Sequence, residues 1–205
     1  MANETKEKML DAALEIFSRN GYAGTNLKEI AGAVGVVKSA FYRHYESKEE
    51  VWNAVIDRME AYYEQRFGSS ANLPKIPQNT DELKQLTLKM LDFTVHDRLV
   101  IMTRKLLLTE QFHDDRVRSL ATEHFGAGLE TLFSKLFAAM MENGSLMRAD
   151  PGMLAFSYVA PIASLVHLCD REPDKVHDAL KKAEAFMDHF ISIYGMSEAK
   201  EEVRG

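Results

Sequence analysis

Between Lys38 and Lys48 the chain places Lys38, Ser39, Ala40, Tyr42, Arg43, His44 and Lys48 in close succession. Lys38 and Arg43 have the reach and charge to bond guanine O6 and N7. Ser39 and Ala40 are small enough for close approach to a base edge or contact with a methyl group. A second set of residues suggests a different chemistry. Glu110 and His113 have the Glu-x-x-His spacing of di-metal helical bundles, and Asp174 with His177 is a weaker echo. A di-metal enzyme would need two such pairs plus two further inward carboxylates, yet His113 abuts Asp114 and Asp115 at what reads as a helix end. The di-metal enzyme is therefore the alternative reading, not the preferred one. The sequence has no Gly-rich phosphate loop, zinc-type cysteine pair or nucleophile triad, so neither enzymatic activity nor a cofactor or metal is expected.

The first set depends on the elements that hold it. Asn26 is a good N-cap with Glu29 three residues on, which predicts a helix start closed by a capping box. Ile30, Ala31 and Val34 then share one face. Gly35 stands where a helix needs a left-handed residue to end. A second short helix is predicted over 38–45, with Phe41 and Tyr45 four apart on its inner face and assigned to the core. Ser47 and Glu50 form another capping box, opening a third helix at 48. Two short helices joined by so tight a turn make a helix-turn-helix, whose second helix enters the DNA major groove.

Gly21 to Thr25, then Ile30 and Ala31, Gly35 and Val36, Phe41 to Tyr45, and Ser47 to Glu49 resemble the N-terminal domain of the TetR family of transcriptional regulators. The resemblance covers roughly residues 5–55. It implies a homodimer reading a two-fold symmetric operator in double-stranded DNA, with repression as the expected sense. It also implies phosphate contacts for Thr25, Tyr42, His44 and Lys48. One departure stands out: Val37 occupies the position where the family usually has a serine or threonine capping the recognition helix. Such a cap is worth about 1 kcal/mol.

The 205 residues, 46% hydrophobic and 27% charged, can bury a sizeable core and do not read as disordered. The net charge of −6 argues against binding nucleic acid through bulk charge, so affinity must come from the locally basic segment around the motif. The single cysteine, Cys169, permits no intrachain disulfide and suits a reducing cytoplasm. Residues 151–169 carry no charge and imitate a membrane span, but scattered polar residues and the Asp150-Pro151 opening favour a buried helix, so no membrane association is expected.

The expected fold is all-α. It comprises an N-terminal three-helix domain with its connecting helix (1–66), a Pro- and Gly-containing linker (67–79), and a larger C-terminal helical domain for effector binding and dimerisation (80–205). The linker is the one clear break. Further helices are predicted from Thr80, carrying Leu83, Leu86, Met90 and Phe93, and over 97–112, 115–142, 151–169 and 173–194. On the last, Val176, Leu180, Ala183, Met187, Phe190 and Tyr194 recur in four- and three-residue steps. That spacing suits the seam of a subunit interface, with the unit's own core as the other possibility. Met90, Phe93, Met102, Phe133, Phe137, Met140 and His167 are the candidate lining for a small hydrophobic or aromatic effector.

Overall fold

Side-chain caps set the starts of several helices. Asn26 and Asn79 each accept the amide of the residue three positions on, at 3.0 and 2.8 Å. Asp150 accepts that of Met153 at 2.8 Å, with Pro151 in the first turn behind it. Ser47 Oγ accepts the Glu50 amide at 3.0 Å. The returning carboxylates close each box differently from the simple pattern. Glu50 and Glu82 reach the amide one residue before the cap, on Glu46 and Gln78, and Glu29 turns to the Asn20 side chain.

The computed structural model describes residues 2–67 and 75–196, without the side chains of Ala2, Asn3, Lys38, Ala40 and Phe67. Most of the expected linker and the charged tail 197–205 lie outside the described residues. The described residues form α1 (Ala2–Gly24), α2 (Leu27–Ala33), α3 (Lys38–Phe41), α4 (Lys48–Phe67), α5 (Thr80–His96), α6 (Arg98–Glu110), α7 (Asp115–Phe125), α8 (Ala127–Glu142), α9 (Pro151–Arg171) and α10 (Val176–Tyr194). The fold is therefore all-α, as expected. The helix predicted over 115–142 is broken, because Gly126 leaves helical geometry at φ −133°, ψ −127° and starts α8 without a side-chain cap. The first turn of the last predicted helix is a 3₁₀ turn over Pro173–Lys175.

The chain folds into two compact units; the first break falls after Arg66, where the expected linker begins, but 98–121, expected in the C-terminal domain, groups with the first unit. The first comprises Met1–Arg66 and Arg98–Ala121; the second comprises Phe67–Asp97 and Thr122–Gly205. The physical reason lies in α6, whose apolar residues Val100, Leu106 and Leu107 are buried and which packs along α1. The chain thus leaves the first unit after α4 and returns to it for α6 and most of α7.

In the second unit α5, α8, α9 and α10 enclose an aromatic core around Tyr158. Its ring lies 4.9–5.1 Å from those of Phe133, Phe137 and Phe190. The α10 stripe expected at a subunit interface turns into this unit. Ala183 and Met187 are fully buried, Phe190 nearly so, and Val176, Leu180 and Tyr194 pack against the same two clusters. Without that stripe the α8 and α9 side chains around Tyr158 would face water, so the stripe covers its own unit. What α9 leaves exposed lies elsewhere on it, at Met153 and Phe156. By length and composition α9 could cross a bilayer, yet Leu154, Tyr158, Leu165 and Cys169 are packed inside the unit.

Burial pushes the Tyr158 phenol far above its usual range, so it stays protonated. Thr87 already donates its one hydroxyl proton to the Leu83 carbonyl at 2.8 Å, so Tyr158 donates to Thr87. Thr87→Val removes the acceptor and leaves a buried phenol unsatisfied, at a cost of about 1–3 kcal/mol. Tyr158→Phe loses one net hydrogen bond, about 1 kcal/mol. Urea unfolding should rank Thr87→Val as the more destabilising; the opposite order would reverse the donor assignment.

Candidate nucleic-acid interface

The turn between α2 and α3 is a Schellman closure. Val36 N–H donates to Ala31 O at 3.0 Å and Gly35 N–H to Gly32 O at 3.1 Å. Gly35 takes φ +69°, which a side chain would strain. Behind the turn Ile30, Ala31, Phe41 and Tyr45 are buried, and the Phe41 and Tyr45 rings lie 5.8 Å apart. Burial, with Glu7 and Glu50 adding to it, pushes the Tyr45 phenol up to about 12. Tyr45 is thus a neutral core anchor, as the sequence suggested. The helix it anchors is shorter than predicted: α3 covers only Lys38–Phe41, and a turn then carries the chain to Tyr45. Val37 supplies the first carbonyl acceptor, to Phe41 N–H at 3.2 Å, and its side chain cannot cap.

Of the residues singled out for DNA, Ser39, Tyr42 and Arg43 are exposed and His44 is half-buried. The side chains of Lys38 and Ala40 lie outside the described residues. The structure brings Thr25 and Lys48 together, but at an internal junction. Thr25 is 3% exposed, its hydroxyl donates to Gly21 O at 2.8 Å, and its amide donates to Tyr22 O at 3.3 Å. The Thr25 hydroxyl and amide, the groups with which it could meet a phosphate, are therefore both engaged within the chain. Lys48 Nζ donates to Tyr22 O at 2.8 Å and Thr25 O at 3.0 Å, and stands 4.2 Å from the centre of the Tyr22 ring.

The residues that hold this junction from behind were not legible as such. Gly21 interrupts α1 at φ 69°, ψ 175°, a conformation essentially confined to glycine. The next amide, Tyr22 N–H, donates to the buried carboxylate of Glu110 at 3.2 Å. Trp52 packs its ring edge-on to Phe17 and Tyr22, each 5.1 Å away, and donates its indole N–H to Asp114 Oδ2 at 2.9 Å. Asp114 also caps α7 by accepting the Arg116 and Val117 amides. Burial pushes the Asp114 carboxyl up, but the Trp52, Val117 and Arg116 donors outweigh it and hold it below the ordinary value. Its contribution to stability is therefore complete above the usual carboxylate range and is lost as pH falls through the lowered value. Arg116 adds ion pairs to Asp57 at 2.6 Å and Glu60 at 2.9 Å on α4.

The di-metal reading finds no support here. Glu110 is committed to Tyr22, His113 is exposed, and no group of three or more possible ligands occurs among the described residues. A usable signal for Glu110 was a single acid closing the apolar run of α6.

Of the residues proposed to line an effector site, Phe133, Phe137 and Met140 are buried in the aromatic core of the second unit. Met90, Phe93 and His167 are half-buried in the same unit, and Met102 belongs to the first unit.

Two short helices around a Schellman turn, with an exposed Ser39, Tyr42 and Arg43, define a helix-turn-helix DNA-reading domain. Residues 9–55 match the family of bacterial regulatory proteins of the tetR type, so this segment is a TetR-type helix-turn-helix domain. It is 32% identical over 113 residues to the HTH-type transcriptional regulator AcrR of Shigella flexneri, covering 55% of this chain and 50% of that one. The chain thus matches about half the length of this curated relative. The fold is shared with SmeT, described as the repressor of the Stenotrophomonas maltophilia multidrug efflux pump SmeDEF, at TM-score 0.64 and 20% identity over 94% of this chain and 91% of that one. A SmeT–triclosan complex superposes at TM-score 0.71 and 20% identity, covering 95% and 93%.

A Cβ added at Gly21 would lie 2.5 Å from Glu110 Oε1, in a backbone conformation hostile to side chains. Gly21→Ala should therefore destabilise the protein by about 1–3 kcal/mol. Adding Glu110→Ala should relieve the steric part, so the double mutant is more stable than the sum of the singles implies. Strictly additive unfolding free energies would remove Glu110 from this junction.

Proposed function

We propose that the chain is a ligand-responsive transcriptional repressor that binds operator DNA as a homodimer through α3 and its flanks. The observation that carries this reading is the exposed Ser39 on α3 with Tyr42 and Arg43 on the turn that follows, held from within by the buried Phe41 and Tyr45. Arg43 and Lys38 are assigned to guanine edges, and Ser39 and Ala40 to close approach at the bases. Tyr42 and His44 are assigned to phosphates. Thr25 contributes by holding the junction. Lys48 has three N–H donors, two of them given to carbonyls, which leaves one for a phosphate.

The effector proposed is a small hydrophobic or aromatic molecule bound in the second unit, with Met90, Phe93, Phe133, Phe137, Met140 and His167 as candidates. The SmeT–triclosan complex supports an aromatic ligand by likeness of fold. The switch acts through α4, which enters the reading head at Lys48, and through the segment 98–121, whose Glu110, Asp114 and Arg116 grip Tyr22, Trp52 and α4. A ligand shifts DNA binding only by its differential affinity for the two states, typically about 1–3 kcal/mol.

The experiment that tests the reading is operator binding against salt. Lys48→Ala should weaken binding to every duplex and make the log–log slope shallower by about one unit. An unchanged slope with a lowered melting temperature would leave Lys48 as an internal latch alone. Arg43→Ala should instead change which operator variants are preferred, by about 1–3 kcal/mol.

The subunit contact is assigned to the outward side of α9 and α10, where Met153, Phe156 and Ile193 are 64%, 53% and 45% exposed. Met153→Glu with Phe156→Lys should give monomers in sedimentation while leaving the helical circular dichroism signal intact. A dimer persisting in the double mutant would move the contact off this face.

A further inference from the structure

Among the described residues the exposed large apolar side chains are Val37, Tyr42, Phe112, Met153, Phe156 and Ile193. Met153, Phe156 and Ile193 belong to the proposed subunit contact, and Tyr42 carries a polar tip. Val37 and Phe112 are purely apolar, and of the two it is Val37, 69% exposed, that stands at the start of α3, ahead of Ser39 and of Tyr42 and Arg43 on the following turn. Its carbonyl accepts the Phe41 amide, which puts Val37 at the N-cap. A hydroxyl or carboxamide there would bond a first-turn amide; an isopropyl group forgoes that bond and gains no burial within the chain. The Schellman turn over Ala31–Val36 fixes the backbone immediately ahead, so the chain enters α3 from a defined direction.

We propose that Val37 is a specificity-determining residue whose isopropyl group packs on the C5-methyl of one thymine in each operator half-site. A recognition helix meets base edges with its N-terminal residues. On the major-groove edges of the bases the thymine methyl is the apolar group, and it is contacted elsewhere by side chains such as alanine and the threonine methyl. Phosphate oxygens and the donors and acceptors of the other bases offer an isopropyl group no hydrogen bond. The cap lost at this position is thus exchanged for apolar contact made only on DNA, and only where thymine stands. The inference rests on the reading of the chain as a DNA-binding regulator.

The thymine methyl can be removed alone by substituting deoxyuridine, which leaves base pairing intact. The preferred duplex is first selected from a random pool with the full-length wild-type chain. Dissociation constants are then measured with each thymine replaced singly, for wild type, Val37→Ser and Val37→Thr. For wild type, one thymine per half-site should lose roughly fourfold on replacement, about the worth of one buried methyl. Val37→Ser should bind the thymine operator several-fold more weakly and show no further loss with deoxyuridine there. Val37→Thr, which keeps one γ-methyl beside a capping hydroxyl, should retain sensitivity at that position. Circular dichroism of both variants, whose substitution is on the surface, should match wild type. If wild type is insensitive at every thymine, or Val37→Ser keeps the wild-type sensitivity, the assignment of Val37 is overturned while DNA binding stands. If no duplex is enriched, both the assignment and the regulator reading are overturned.

Discussion

The reading head depends on how the break at Gly21 is satisfied. A helix that stops leaves peptide groups without partners, and leaving them unmet in a packed interior is costly. Here each is met by a different element. Gly21 O takes the Thr25 hydroxyl, Tyr22 O takes the Lys48 ammonium, and Tyr22 N–H goes to Glu110. One residue pair therefore ties together α1, the approach to α2, the start of α4 and the end of α6. The Trp52–Asp114 bond repeats the arrangement one turn further along α4. α3 is set by nearer contacts, the Schellman turn over Ala31–Val36 and the buried Phe41 and Tyr45.

That arrangement explains why α6 is packed with the DNA-reading unit. A segment that comes back from the second unit to hold the reading head gives the chain a covalent route between the two functions assigned to them. The carboxylates of Glu110 and Asp114 suit this task, since hydrogen bonds to charged acceptors are stronger than neutral ones and fixed in direction. The ion pairs of Arg116 are partly exposed and contribute less.

The second unit illustrates the limit of an apolar stripe as evidence. Val176 to Tyr194 has the spacing of an interhelical seam, and it is one, but the partner helices are α5, α8 and α9 of the same chain. Periodicity gives the face of a helix that is buried and says nothing about which molecule buries it. The residues left over for a partner, Met153 and Phe156, lie on a helix apolar on every side, where no stripe can be read.

By itself the sequence determined the helices, most of their caps, the Schellman turn at Gly35 and the division of the motif into inner Phe41 and Tyr45 and outer Ser39, Tyr42 and Arg43. These are local matters, decided by a few adjacent residues and the period of the α-helix. It missed the break at Gly126, where a single backbone conformation overrides helical patterning. Tertiary structure alone decided that Thr25 and Lys48 turn inward, that Glu110 binds a peptide amide in place of a metal, that 98–121 belongs with the first unit, and that the α10 stripe is core. Each is a pairing between residues far apart in the chain. A carboxylate or an ammonium has the same side-chain chemistry whether its partner is a phosphate, a metal or an amide, and only the folded backbone brings one of them within reach.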